Sequence, residues 1–421
     1  MKYSNKVIEM IQSANLDKVN ENIELAFLHD DEDTLYLLGN TLFQLGFLEE
    51  TKRVYNHLID INPSDDELKI YLAEIEIEDG KELEALNLLH SIEDNSPSYP
   101  QALLVQADYY HLNGLPEVSI QKLEEAEELM PEEPIIKFAI GEVHFTTADY
   151  QKATNYYELL LEDGIEDIAG TLIHSRLGNA YLMLGSYKKA INSLRESLAL
   201  KDDPEVYYQL GFAHTQQEDF QKGIDSLNEA KEMDPSLISV YVLLASAYEQ
   251  LNQLEDAMKA IEEGISFNEV NIGLYLLAAE YAAKLNEYDK AEEYYQKALL
   301  LEPENEHILI KYAQYLNYMG EYEDIVELFS KTPKSIQVLP EVMWLLANAH
   351  NELDDYDKAR ELFDQTYDYL DANLDFLKDF IFFLREDGQR EKMQEVLSIY
   401  TTMVTEYDDE IASLLDDLSY E

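Results

Sequence analysis

The chain has 421 residues and carries 87 Asp and Glu against 30 Lys and Arg, a formal charge of −57. Such a surface repels phosphate, which disfavours direct nucleic-acid binding and docking to anionic lipid. The absence of cysteine removes disulfides and thiolate metal sites. No secretory core is present in the first residues and no run of about eighteen apolar residues occurs anywhere, so the expectation is a cytoplasmic protein without a membrane span.

Residues 1–31 read as a degenerate helical pair, an N-terminal cap. From about residue 32 to residue 400 the sequence repeats itself. A column of small residues recurs at Gly39, Ala73, Ala107, Gly141, Gly178, Gly211, Ala245, Ala279, Ala313 and Ala347, with a spacing of 34 broken only by one gap of 37 and one of 33. A second small column trails it at Thr51, Ala85, Ser119, Ala153, Ala190, Gly223, Ala257, Ala291 and Ala359. One helical turn further on stands a large residue: Tyr55, Leu89, Leu123, Tyr157, Leu194, Leu227, Ile261, Tyr295 or Phe363. Small and large sites four apart share one helical face. Gly46, Gly80, Gly114, Gly185 and Gly320 punctuate the middle of the period, and Pro63, Pro97, Pro131, Pro235 and Pro303 close it. Each period is therefore two helices, and neighbours must stack to bury a common core. The predicted class is all-α, an α-solenoid of about eleven helix-turn-helix units.

Two irregularities interrupt the series. Gly164 and Gly170 flank three inserted residues, the expected bend between an N-terminal array (32–165) and a C-terminal array (166–403). Ile325 replaces a small residue and Thr332-Pro333 ends the following helix early, which predicts a distortion over 325–340. The last repeat has Ile381 and Met393 in the small columns, so looser packing is expected there. Residues 404–421 read as an acidic tail or capping helix with Ile411, Leu414, Leu415 and Leu418 on one stripe.

The pattern resembles the tetratricopeptide repeat family. Leu177, Gly178, Tyr181, Gly185, Tyr187, Ala190 and Leu194 fall at that family's spacing, as do Tyr275, Ala279, Tyr288, Ala291, Tyr295, Ala298 and Pro303. In layout the chain also resembles acidic repeat proteins of low-GC Gram-positive bacteria, a likeness that implies no activity. The family resemblance implies a right-handed superhelix whose first helices line a concave groove. Carried over by position, the groove would hold Tyr36, Asn40, Phe43, Ile70 and Tyr71 near the N-terminus. In the middle it would hold Leu104, Phe138, Phe145, Arg176, Asn179, Met183, Tyr208 and Phe212, and further on Lys311, Tyr318, Trp344 and Asn348. Asn40, Asn179 and Asn348 share one repeat position, where an amide can both donate to and accept from an extended peptide. Phe138, Phe145, Tyr208 and Phe212 would form an aromatic wall around Asn179. The family's clamp for a terminal carboxylate needs basic residues and asparagine that Glu205, Tyr208, Ser239 and Leu243 do not provide.

No phosphate loop, zinc-binding helix, nucleophile elbow or calcium loop is present. His144, His214 and His350 share a position occupied elsewhere by Tyr110, Tyr181 and Tyr248, which marks them as filling residues of the interhelix layer. Because the repeats use nearly the whole length, neither catalysis nor a metal or cofactor is expected. The function expected is a non-catalytic scaffold binding extended or helical protein segments, with basic segments preferred over neutral ones. A peptide-sensing receptor and an electrostatic chaperone or decoy for basic proteins are the alternatives.

Overall fold

The computed structural model describes residues 2–404 and 409–420. The chain divides into two compact units, Met1–Met233 and Asp234–Glu421. In the first, α1 (Tyr3–Gln12) and α2 (Val19–His29) form the N-terminal pair. Six hairpins follow: α3 (Glu32–Gln44) with α4 (Leu48–Ile61), α5 (Asp66–Glu78) with α6 (Glu82–His90), α7 (Tyr99–Leu112) with α8 (Pro116–Leu129), α9 (Pro134–Thr146) with α10 (Tyr150–Glu162), α11 (Ile173–Met183) with α12 (Tyr187–Leu200), and α13 (Pro204–Gln216) with α14 (Phe220–Met233). Between α10 and α11 lie β1 (Asp167–Ile168) and β2 (Thr171–Leu172).

The second unit pairs α15 (Ile238–Gln250) with α16 (Leu254–Phe267), α17 (Ile272–Lys284) with α18 (Tyr288–Leu301), and α19 (Glu306–Met319) with α20 (Tyr322–Ser330). A short α21 (Lys334–Gln337) leads to α22 (Pro340–Glu352) with α23 (Tyr356–Leu370), α24 (Leu374–Glu386) with α25 (Arg390–Met403), and α26 (Asp409–Tyr420). Of the expected C-terminal segment 404–421, residues 405–408 and 421 lie outside the described residues.

Local chemistry sets the helix ends. Asp31, Asp65, Asp203, Asn271, Asn305 and Asn373 precede first helices, and each side chain accepts a backbone N–H of the first turn. Such a cap satisfies a donor that has no partner inside the helix. Within each hairpin the connecting turn carries one residue in the left-handed region, at Gly46, Gly80, Gly114, Ala148, Gly185, Glu218, Asn252, Asn286, Gly320, Asp354 and Gly388, with φ between 57° and 78°. Sequence reading marks Gly46, Gly80, Gly114, Gly185 and Gly320 of this column, and the members other than glycine hold the same conformation against the steric preference of an L-residue.

The small columns are where helices close on one another. A Cβ added at Gly39 would lie 2.5 Å from the Tyr55 ring, at Gly141 2.8 Å from Tyr157, and at Gly178 and Gly211 2.6 Å from Leu194 and Leu227. Each large residue thus occupies the space that the small one leaves on the facing helix. Tyr55, Tyr157, Leu194 and Leu227 are all buried.

The irregular segments take definite forms. The insertion is a two-residue β-hairpin turn, with Ile168 paired to Thr171 and both Ala169 (φ 51°) and Gly170 (φ 84°) left-handed. This is the geometry that matches strand twist. Gly170 N–H donates to Asp167 Oδ1 at 2.9 Å, and Ile168 is buried in the core around Tyr157 and Leu177. Across this insertion α10 packs on α11. At 325–340 the chain follows its sequence: α20 stops at Ser330, and α21 bridges to α22. In the last hairpin Ile381 and Met393 are buried with Phe363, Phe376, Phe380 and Phe383, joined by Ile411 and Leu414 of α26.

Candidate binding face of the first helices

First helices of successive hairpins contact one another: α5 meets α7, α11 meets α13, and α22 meets α24. Their side chains define three regions.

In the first unit a mostly apolar pocket of about 310 Å³ lies between α7 and α9 over α8. Leu104, Ile135, Phe138 and Leu123 wall it, and Asp108, His111 and Glu142 add polar groups. At its lining Ser119, a member of the second small column, is fully buried with a hydroxyl that has no hydrogen-bond partner. Glu74, Asp108 and Glu142 stand at one repeat position, 34 residues apart, on three consecutive first helices. Burial pushes the Glu74 carboxyl above its ordinary value, and the charges of Glu78 and Asp108 add to the shift. Glu142 accepts from Tyr157 Oη at 2.6 Å and pairs with Arg176 at 3.0 Å.

A second, polar pocket of about 250 Å³ lies where the β-hairpin meets α11, α12 and α13. Arg176, Asn179, Ser197, Gln209 and Thr171 line it. Three buried polar atoms here lack hydrogen-bond partners: Arg176 Nε, Ser197 Oγ and Gln209 Oε1. An unpaired buried donor or acceptor costs about 1–3 kcal/mol. Arg176 and Asn179 were visible as candidates in the sequence; Ser197 was not, since it belongs to a second helix, and Gln209, although it shares the repeat position of Arg176, was not singled out.

In the second unit Trp344 and Asn348 converge on one carboxylate that sequence reading missed. Trp344 Nε1 and Asn348 Nδ2 both donate to Asp379 Oδ2, at 2.9 and 2.8 Å. Burial raises the Asp379 carboxyl, while the Asn348 and Trp344 hydrogen bonds pull it back.

The remaining candidates are placed individually. Asn40 is exposed, and its Oδ1 accepts from Tyr55 Oη at 2.9 Å. Tyr36 and Phe43 are half-buried against the N-terminal core, and Ile70 is buried outright. Phe138 tilts against Tyr157, Phe145 meets Tyr150 edge-on and Phe212 meets Tyr187 edge-on. Tyr208 is half-buried and Met183 exposed. Lys311 pairs with Glu280 at 3.1 Å. The two basic candidates are thus both neutralised by acids of the preceding hairpin. Among the described residues no group of His, Asp and Glu is arranged to hold a metal ion, and no helix is long and apolar enough to cross a membrane.

Models of tetratricopeptide repeats match residues 32–65, 204–237, 238–271 and 272–305, and a further repeat model matches 178–218. Models described as YpiA-like tetratricopeptide repeats match 112–165, and their C-terminal counterpart matches 340–405. The chain is a tetratricopeptide repeat protein, a class whose repeats serve as protein–protein interaction modules. It is 31% identical over 239 residues to the TPR repeat-containing protein YpiA of Bacillus subtilis, a low-GC Gram-positive bacterium, and the match covers 56% of each chain. The chain thus spans little more than half the length of that relative. Among solved structures, MamA is 27% identical over 39% of this chain and 95% of its own, with a TM-score of 0.36. The C-terminal part of a TPR repeat-containing protein from Cytophaga hutchinsonii is 16% identical over 57% of this chain and 98% of its own, with a TM-score of 0.48.

Proposed function

We propose that this protein is a non-catalytic scaffold that binds protein segments on the face of its first helices, with basic segments preferred. The observation that carries the reading is the pocket between α7 and α9. An apolar space walled by Leu104 and Phe138 stands beside the acidic column of Glu74, Asp108 and Glu142. That combination suits a segment that buries one aliphatic or aromatic side chain and places a cation alongside, burial giving affinity and charge giving speed and selectivity. The polar pocket beside the β-hairpin supports the reading, because Arg176 Nε, Ser197 Oγ and Gln209 Oε1 are oriented donors and acceptors that a bound main chain would satisfy.

The test is selection from a displayed library of random 16-residue peptides, with Leu104→Asp as counter-target. Enrichment of sequences joining an apolar residue to nearby Lys or Arg, lost on Leu104→Asp and weakened by Asp108→Asn, is the expected result. No enrichment, or binding that depends on salt alone and ignores Leu104→Asp, would replace the scaffold by purely electrostatic capture.

A further inference from the structure

Asp379 sits in the second unit at the edge of a pocket of about 270 Å³ formed by α19, α20, α22, α23 and α24. Only one of its oxygens is accounted for: Oδ2 takes both the Trp344 and the Asn348 hydrogen bond. Glu352 and Glu386, one repeat apart on consecutive first helices, line the same pocket. Lys378, whose charge lowers the Asp379 carboxyl, is paired with Glu410 at 2.6 Å. Asn351 Oδ1, an acceptor in the same lining, is buried and has no hydrogen-bond partner. The remaining walls include Phe382 and Tyr322. Asp379 is half-buried, two neutral donors hold its geometry, and a carboxylate taken partly out of water is stabilised by a cation placed beside it. The lining is rich in acceptors and aromatic surface and carries no positive charge. Its orphaned amide oxygen and its acids stand around the space, as a planar group with several N–H donors requires.

We propose that this pocket binds the guanidinium of an arginine side chain from a protein partner, with Asp379, Glu352 and Glu386 as its counter-charges, Asn351 Oδ1 as a further acceptor and the aromatic wall as its stacking surface. A guanidinium satisfies acceptors in several directions at once and stacks on aromatic faces, whereas an ammonium is a compact and strongly hydrated charge. The inference rests on the scaffold reading for its partner class, but it concerns the second unit alone.

The only tryptophan of the chain reports on it directly, because Trp344 is bonded to the carboxylate in question. The full chain is titrated at constant ionic strength with Nα-acetyl-arginine methylamide, with its citrulline analogue, which has the same shape without the charge, and with the lysine analogue, while Trp344 emission is followed. A saturable change with the arginine compound, at least about fivefold weaker for lysine and absent for citrulline, is expected. Asp379→Asn and Glu352→Gln, each checked for native helicity, are expected to weaken the arginine compound by about tenfold and about threefold. No saturable change, equal response to citrulline, equal or tighter binding of lysine, or indifference to both variants would overturn the assignment. Selection at the α7–α9 pocket is unaffected by Asp379→Asn, so failure of the arginine site and failure of the scaffold reading give different results.

Discussion

His144 and His214 occupy equivalent places at the ends of α9 and α13, and both are buried. Burial holds each imidazole below its ordinary value, helped by Lys152 beside His144 and by Arg195 beside His214. Asp149 and Asp219 stand 3.8 and 3.7 Å from their Nδ1 atoms and only partly oppose the shift. Both rings are therefore neutral in the fold. An unfolded imidazole titrates near 6.5, so between that pH and the lower folded value the unfolded chain binds more protons, and stability falls as pH falls through this window. Replacing both by tyrosine, the residue at Tyr110, Tyr181 and Tyr248, is expected to shrink the stability lost between about pH 7.5 and about pH 5.5, by up to about 1 kcal/mol per histidine. Urea unfolding at the two pH values measures this, and identical losses in both proteins would clear the histidines. The shared position of these histidines was legible in the sequence as an interhelix filling site. Asp379 was not legible, since one acid among 87 carries no mark until folding places it against Trp344 and Asn348.

At the scale of the element, each hairpin depends on a turn residue in the left-handed region, and the sequence fills that place with whatever is at hand. Ala148 connects α9 to α10 at φ 61°. An L-residue there costs roughly 1–2 kcal/mol, of which the greater freedom of glycine in the unfolded chain returns about half a kilocalorie. Ala148→Gly is accordingly expected to stabilise the first unit by about 0.5–1 kcal/mol, read as a higher denaturant midpoint with unchanged slope. A lower midpoint would mean that the turn is not strained in solution. The helices themselves were legible because side chains spaced by three and four betray a buried face whatever their identity. The β-hairpin at 167–172 was not, because two-residue strands have no periodicity to detect and Ala169 lacks the usual Asn or Asp of such a turn. Its Gly170 was visible only as an interruption.

For the molecule as a whole, charge opposes the fold. The formal charge of −57 is spread over the repeats, and pairs such as Lys152 with Asp149 or Lys259 with Asp256 are exposed and contribute little. Mutual repulsion among the carboxylates is screened over about 10 Å at 0.1 M salt. Raising sodium chloride from about 0.02 M to about 0.2 M is expected to raise the melting temperature by several degrees in differential scanning calorimetry. A melting temperature that stays constant or falls would show that local pairing already balances the charge. The sequence alone determined the repeat, the number of hairpins, the place of the irregular segments and the sign of the surface, because period and composition are sums over many residues and survive ignorance of any one. Only the tertiary structure decided which polar groups are left without partners, at Ser119, Arg176, Ser197, Gln209 and Asn351, and which carboxylate Trp344 and Asn348 grip. Those facts depend on distances between helices far apart in the chain, where a shift of one ångström makes or breaks a hydrogen bond.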